Sequence, residues 1–133
     1  MHPDRVLGKR ILLADDQEGV RAAIRFLLHV DEHQVTEAVN GREALELFRK
    51  NQFDLVITDY AMPEMRGNEL AAIIKQEAPH QPILMITAYT LEVSDRDQPV
   101  DAVLNKPFSF LDLRTTIARL LSSHEEMSAM PSI

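Results

Sequence analysis

Four short apolar runs, each leading to a polar residue, leave this chain very few folds. Residues 10–14 end against Asp15 and Asp16, and residues 54–58 against Asp59. Residues 82–87 close on Thr87, and residues 102–104 lead to Lys106. These runs are apolar throughout rather than alternating, which is the pattern of strands covered by helices on both faces. A fifth run, 33–39, sets Gln34, Thr36 and Glu37 between apolar residues, as suits an edge strand.

Helix-period segments separate the runs. Val20, Ala23, Ile24, Leu27 and Leu28 fall on one stripe, as do Leu70, Ile73 and Ile74, and later Leu113, Ile117, Leu120 and Leu121. Residues 40–50 open on the cap-type residue Asn40 and turn Ala44, Leu45 and Phe48 inward. Strands and helices therefore alternate, and right-handed crossovers leave few topologies for them. The expected fold is a three-layer α/β domain, a doubly wound five-stranded parallel sheet of flavodoxin-like order 2-1-3-4-5. Between 89 and 101 only Leu91 and Val93 could anchor a helix before two aspartates and a proline. A short or irregular fourth helix is expected there.

At 133 residues the chain suits one domain, and a chain of this size buries about two thirds of its unfolded surface without staples. The boundaries read as an N-terminal extension over 1–8, a domain over 9–122 and a polar tail over 123–133. There are no cysteines, which fits a reducing compartment. No stretch reaches signal-peptide length or the roughly 18 apolar residues of a membrane span, so a cytoplasmic protein is expected, without a membrane partner. The net charge of −7 lacks the basic footprint of a nucleic-acid binder.

In a parallel α/β sheet the carboxyl ends of the strands open onto one crevice. Asp15, Asp16, Asp59, Thr87 and Lys106 should therefore converge, although they span most of the chain. Clustered carboxylates repel, which raises the pKa of at least one unless a cation neutralises them. Hard oxygen ligands and an open site favour magnesium, with manganese as an alternative. Asp15 and Asp16 become the metal acids, and Asp59 both a further ligand and a nucleophile able to form an acyl phosphate. A transferred phosphoryl group spreads charge over three equatorial oxygens, which Lys106, Thr87 and the metal can divide between them. Ala88 is small and leaves the phosphoryl entry open.

Each residue also has a plainer use. The two adjacent aspartates could cap a helix, Asp59 could start a turn, and Thr87 and Lys106 could be structural or solvated. Their coincidence at strand ends favours the chemical reading. The histidines His2, His29, His33, His80 and His124 show no ligand spacing and read as surface or structural. Met62, Met65 and Met85 read as packing residues.

Residues 10–121 resemble the receiver domain of bacterial two-component response regulators, a family of CheY-like proteins. The likeness is carried by Leu12 to Asp16, Ile57 to Pro63, Met85 to Ala88 and Asn105 to Phe108, in order and each at a strand end. The resemblance implies Asp59 as phosphoacceptor, the Ala61 backbone carbonyl as a further metal ligand, and a cis peptide between Lys106 and Pro107. It also implies a sensor histidine kinase or histidine phosphotransfer protein as donor and a downstream protein as target, with the domain a monomer or weak dimer. Such a domain catalyses only its own phosphorylation and dephosphorylation and is not otherwise an enzyme.

Two departures from the family pattern concern its switch. The aromatic residue usual three positions before the lysine is Val103 here, for which Tyr89 is a substitute. The interval from Thr87 to Lys106 is also shorter than usual by about one helical turn. A methionine start and a polar end favour a single-domain regulator over a receiver cut from a longer transcription factor or hybrid kinase. A phosphatase of the haloacid-dehalogenase kind would place Asp-x-Asp after its first strand, where Asp15 and Asp16 are adjacent instead. A pseudo-receiver that binds partners without phosphorylation is the other alternative.

Overall fold

The computed structural model describes residues 6–88 and 98–129, and the side chains as far as 122. Five strands form one parallel sheet in the order β2-β1-β3-β4-β5. They are β1 (Arg10–Ala14), β2 (Gln34–Ala38), β3 (Leu55–Asp59), β4 (Ile83–Thr87) and β5 (Ala102–Asn105). Four helices accompany them among the described residues: α1 (Glu18–Val30), α2 (Gly41–Lys50), α3 (Gly67–Glu77) and α4 (Phe110–Ala129). The order 2-1-3-4-5 and the polar β2 at one edge are as the apolar pattern implied.

Alternate residues of each strand feed two cores, as the period-two geometry of a strand requires. Ile11 and Leu13 of β1, Leu55 and Ile57 of β3, and Leu84 and Ile86 of β4 pack with Ile24 and Leu28 of α1 and Leu113, Ile117 and Leu121 of α4. Leu12, Ala14, Val56 and Ile83 pack on the other face with Ala44 and Leu45 of α2 and Leu70, Ala71 and Ile74 of α3. Met62 and Met65 join this second core, and Met85 is fully buried, so all three are packing residues. β1, β3 and β4 are buried along nearly their whole length because helices cover them from both sides.

Local chemistry sets the helix starts. Asn40 caps α2, its side chain accepting from the Glu43 backbone N–H at 2.8 Å while Glu43 accepts from the Val39 N–H at 3.2 Å. Gly67 opens α3 against the end of β3, where a Cβ would lie 2.2 Å from the Asp59 carbonyl oxygen. No other residue type lets that helix approach the strand so closely.

The last helix differs from expectation. The tail predicted to begin at 123 continues α4 to Ala129. No glycine or proline interrupts the chain before Pro131, and helix propensity does not require an apolar stripe. The expected short or irregular fourth helix, with Tyr89, falls mostly in 89–97, outside the described residues.

Candidate functional site

Strand register decides which side chains meet. Ala14 of β1 lies opposite Thr58 of β3, so Asp15 and Asp59 leave adjacent strands at one level. Asp59 lies opposite Ile86 of β4, and Thr87 opposite Asn105 of β5, so Thr87 and Lys106 each follow one step on. The ladders run on into these residues. The Asp15 N–H donates to the Ala38 carbonyl at 3.1 Å, Tyr60 N–H to Ile86 at 2.8 Å and Lys106 N–H to Thr87 at 2.8 Å. All five predicted residues therefore stand at the carboxyl rim of the sheet.

Asp15, Asp16 and Asp59 each offer a carboxylate oxygen, and these three oxygens all lie within 4.8 Å of one another. Asp15 and Asp59 are buried and Asp16 is exposed, so the group opens to solvent on one side. The Lys106 ammonium donates to Asp59 Oδ1 at 3.0 Å and stands 3.8 Å from Asp15 Oδ2. Its side chain is only 21% exposed, so it is not the solvated surface charge of the plainer reading. The Lys106–Pro107 peptide is cis, as the family resemblance implied.

Burial raises the pKa of both Asp15 and Asp59 above the ordinary carboxylate value. Lys106 pulls both down, and the Gln17 N–H also lowers Asp15 by donating to its Oδ1 at 2.9 Å. Mutual repulsion opposes this, with Asp59 and Asp16 raising Asp15, and Asp16 raising Asp59. One ammonium thus offsets only part of the charge that three carboxylates carry when ionised. Three hard oxygen donors, partly desolvated and open on one side, suit a divalent cation that keeps several waters. The Asp15 carboxylate accepts from Gln17 just before α1, but Gln17 is the N-cap there and no side-chain hydrogen bond caps the helix, so the capping reading of Asp15 does not hold.

The remaining predicted residues fall at different places in the fold. Thr87 is fully buried at the end of β4, and Ala88 beside it is exposed. Ala61 is exposed in the loop after β3, and Pro107 is exposed beyond Lys106. Val103 lies in β5 opposite Met85, half-buried and away from the carboxylates. Tyr89 is outside the described residues. His33 is buried, its Nδ1 accepting the Lys9 N–H at 3.0 Å, which makes it structural; His29 and His80 are exposed.

Two contributors were not singled out from the sequence. Gly67 packs against the backbone of Asp59, and the only sequence signal for it is a glycine opening an apolar helical stripe. Arg21 of α1 donates from Nη1 to the Asp15 backbone carbonyl at 2.8 Å. Nothing in composition or periodicity marks an arginine for such a contact.

Comparison with known proteins agrees with this arrangement. The chain is 39% identical over 116 residues to the response regulator receiver protein CpdR of Brucella abortus, covering 85% of this chain and 97% of CpdR. It is 32% identical over 120 residues to the sensor kinase CckA of Brucella abortus, of which it spans only 13%. Among solved structures, the response regulator TrrA of Thermotoga maritima, in complex with Mg2+ and BeF, superimposes with a TM-score of 0.80 at 34% identity. That match covers 85% of this chain and 99% of TrrA. Residues 11–118 match the response regulator receiver domain over most of the chain, and the protein belongs to that family.

Proposed function

We propose that Asp59 is the phosphoacceptor of this receiver domain and that magnesium, or manganese in its place, is held by Asp15, Asp16, Asp59 and the Ala61 carbonyl. The observation that carries the reading is the meeting of three carboxylates and one ammonium at one rim of the sheet. When bound, the cation neutralises the carboxylates and shares the charge of the transferred group. The rest is work for the chain's own residues. An Asp59 carboxylate oxygen attacks phosphorus, an acyl phosphate bond forms, and the bond to the donor breaks, so that an imidazole leaves when the donor is a phosphohistidine. Lys106 then moves its hydrogen bond from Asp59 to a phosphoryl oxygen, and Thr87 takes another.

A histidine kinase or histidine phosphotransfer protein is the proposed donor, and a downstream protein the proposed target. The likeness to a segment of a sensor kinase supports the first. Phosphorylation adds about −1.5 to −2 charge, which draws Thr87 and its loop toward Asp59 and shifts a conformational equilibrium. Ala88 leaves the entry open, and Tyr89 is proposed to take the part that an aromatic residue would play at Val103. Among the described residues no helix is long and apolar enough to cross a membrane.

Incubation with magnesium and acetyl phosphate should add one phosphoryl group per chain, read by intact mass, at Asp59. Asp59→Asn should take no label. Labelling of that variant at the wild-type rate would overturn the assignment, and so would a wild-type protein that stays unlabelled with a competent kinase present.

A further inference from the structure

The carbonyl that Arg21 grips belongs to the peptide unit joining Asp15 to Asp16. The orientation of that unit sets the direction in which both side chains leave the backbone, because the peptide is planar and only the flanking dihedrals can adjust. Nη1 of Arg21 donates to this oxygen at 2.8 Å, and Nε of the same guanidinium donates to Glu37 Oε1 at 3.1 Å. Glu37 belongs to the edge strand β2 and is also held by Arg25, whose Nη1 donates to Oε2 at 2.8 Å. The Arg21 side chain is only 13% exposed, so the fork is partly desolvated and its geometry restrained.

Other contacts also hold this corner, among them the Lys106 ammonium 3.8 Å from the Asp15 carboxylate. The Asp15 N–H reaches the Ala38 carbonyl, and the Gln17 N–H reaches the Asp15 carboxylate. Arg21 is the contact that ties the peptide between the two aspartates to a neighbouring strand through a charged pair. Magnesium demands near-ideal octahedral geometry at about 2.0–2.1 Å, so a small rotation of this peptide is enough to misplace a ligand.

We infer that Arg21 is a positioning residue for the divalent-metal site, acting through the Asp15–Asp16 peptide, with Glu37 of β2 holding its guanidinium in place. This rests on the metal reading given above. The arginine touches neither the cation nor the phosphoryl group. Its part is to keep two acids, one exposed and one buried, aimed at a common point.

The test is magnesium titration of the full chain by calorimetry, at a temperature where circular dichroism shows each variant folded. Arg21→Ala should bind magnesium about tenfold more weakly, the lower end of what loss of an outer-shell partner costs. The magnesium concentration giving half-maximal labelling by acetyl phosphate should rise by the same factor, and excess magnesium should recover the label. Arg25→Ala is the matched control, since it removes the other arginine on Glu37 while leaving the Arg21–Glu37 pair and the Arg21 contact to the peptide in place, and its magnesium affinity should stay at the wild-type value. If Arg21→Ala does not fold, Glu37→Gln carries the test with a smaller fall in affinity.

Equal affinity in wild type and Arg21→Ala, or an equal fall in Arg21→Ala and Arg25→Ala, would overturn the inference. A wild-type protein that binds no magnesium sinks the metal assignment instead, so the two failures can be told apart.

Discussion

Asp31 and Asp59 are almost equally hidden, at 4% and 7% exposure, yet they stand at opposite ends of the sheet in opposite circumstances. Asp31 follows α1 at the end where the strands begin, and its carboxylate receives a fork from Arg114 at 2.9 and 3.0 Å. The arginine also stacks on Phe110, with its guanidinium 4.3 Å from the ring centroid. Asp59 faces one ammonium and two further carboxylates. A charge matched by a planar bidentate partner holds the fold together, whereas a charge left short of cations is available to bind one. Burial alone does not tell a structural acid from a reactive one; the charge balance around it does.

The comparison breaks most sharply at the structural end. Arg114→Ala should cost about 3 kcal/mol in urea unfolding, because it strips a buried carboxylate of its fork, while labelling by acetyl phosphate persists in the folded fraction. A loss of labelling with stability intact would reverse the roles assigned to the two acids. Lys106→Ala should cost the metal-free protein about 1.5 kcal/mol, since the buried Asp59 loses its hydrogen-bonding cation and Asp15 loses a nearby positive charge. Magnesium should narrow the gap between Lys106→Ala and wild type, whereas it should raise wild type and Arg114→Ala alike and leave their gap unchanged.

Removing the charge from Asp59 should have the opposite sign. Burial raises its folded pKa above 3.8, so the folded state holds the proton more tightly than the unfolded chain. Stability is then lost as pH rises from about 3.8 through the raised value. Glu37 is lowered, burial raising it but Arg25 and Arg21 outweighing that, and Glu77 is lowered by Arg49. These two run the other way and lose stability as pH falls, so wild type and Asp59→Asn must be compared at each pH. Metal-free Asp59→Asn should have a higher urea midpoint at neutral pH, and the gap should close toward low pH or on adding magnesium to the wild type. A midpoint below wild type at pH 7 would show Asp59 to be a structural acid like Asp31.

The smallest effect is expected at His33, near Asp31. Burial lowers its pKa, against the pull of Asp31 and with help from Lys9, so stability is lost as pH falls from 6.5 toward the lowered value. Asp54 opposes this as Asp31 does. His33→Gln, which can still accept the Lys9 N–H, should flatten that slope by a few tenths of a kcal/mol and leave labelling unchanged.

Much of the fold was legible because parallel strands buried on both faces must be continuously apolar, and β1, β3 and β4 could bury charge only at their ends. The convergence of Asp15, Asp59 and Lys106 followed from the rule that parallel strands end together. The extent of α4 was not legible, since residues 123–129 carry no apolar stripe by which periodicity could report a helix. Arg21 was not legible either, because its contact depends on how α1 lies over the first turn, and a sequence pattern carries no such angle.

By itself, then, the sequence determined which residues are strand, which face of each helix is buried, and which polar side chains meet at the rim. Those follow from periodicity and local geometry, which are properties of short segments. Only the tertiary structure decided that Lys106 pairs with Asp59 more closely than with Asp15, that α3 needs a glycine to close on β3, and that an arginine on α1 grips the peptide between two acids. Each of these depends on distances of a few ångströms between segments far apart in the chain, which the packing of the whole domain sets.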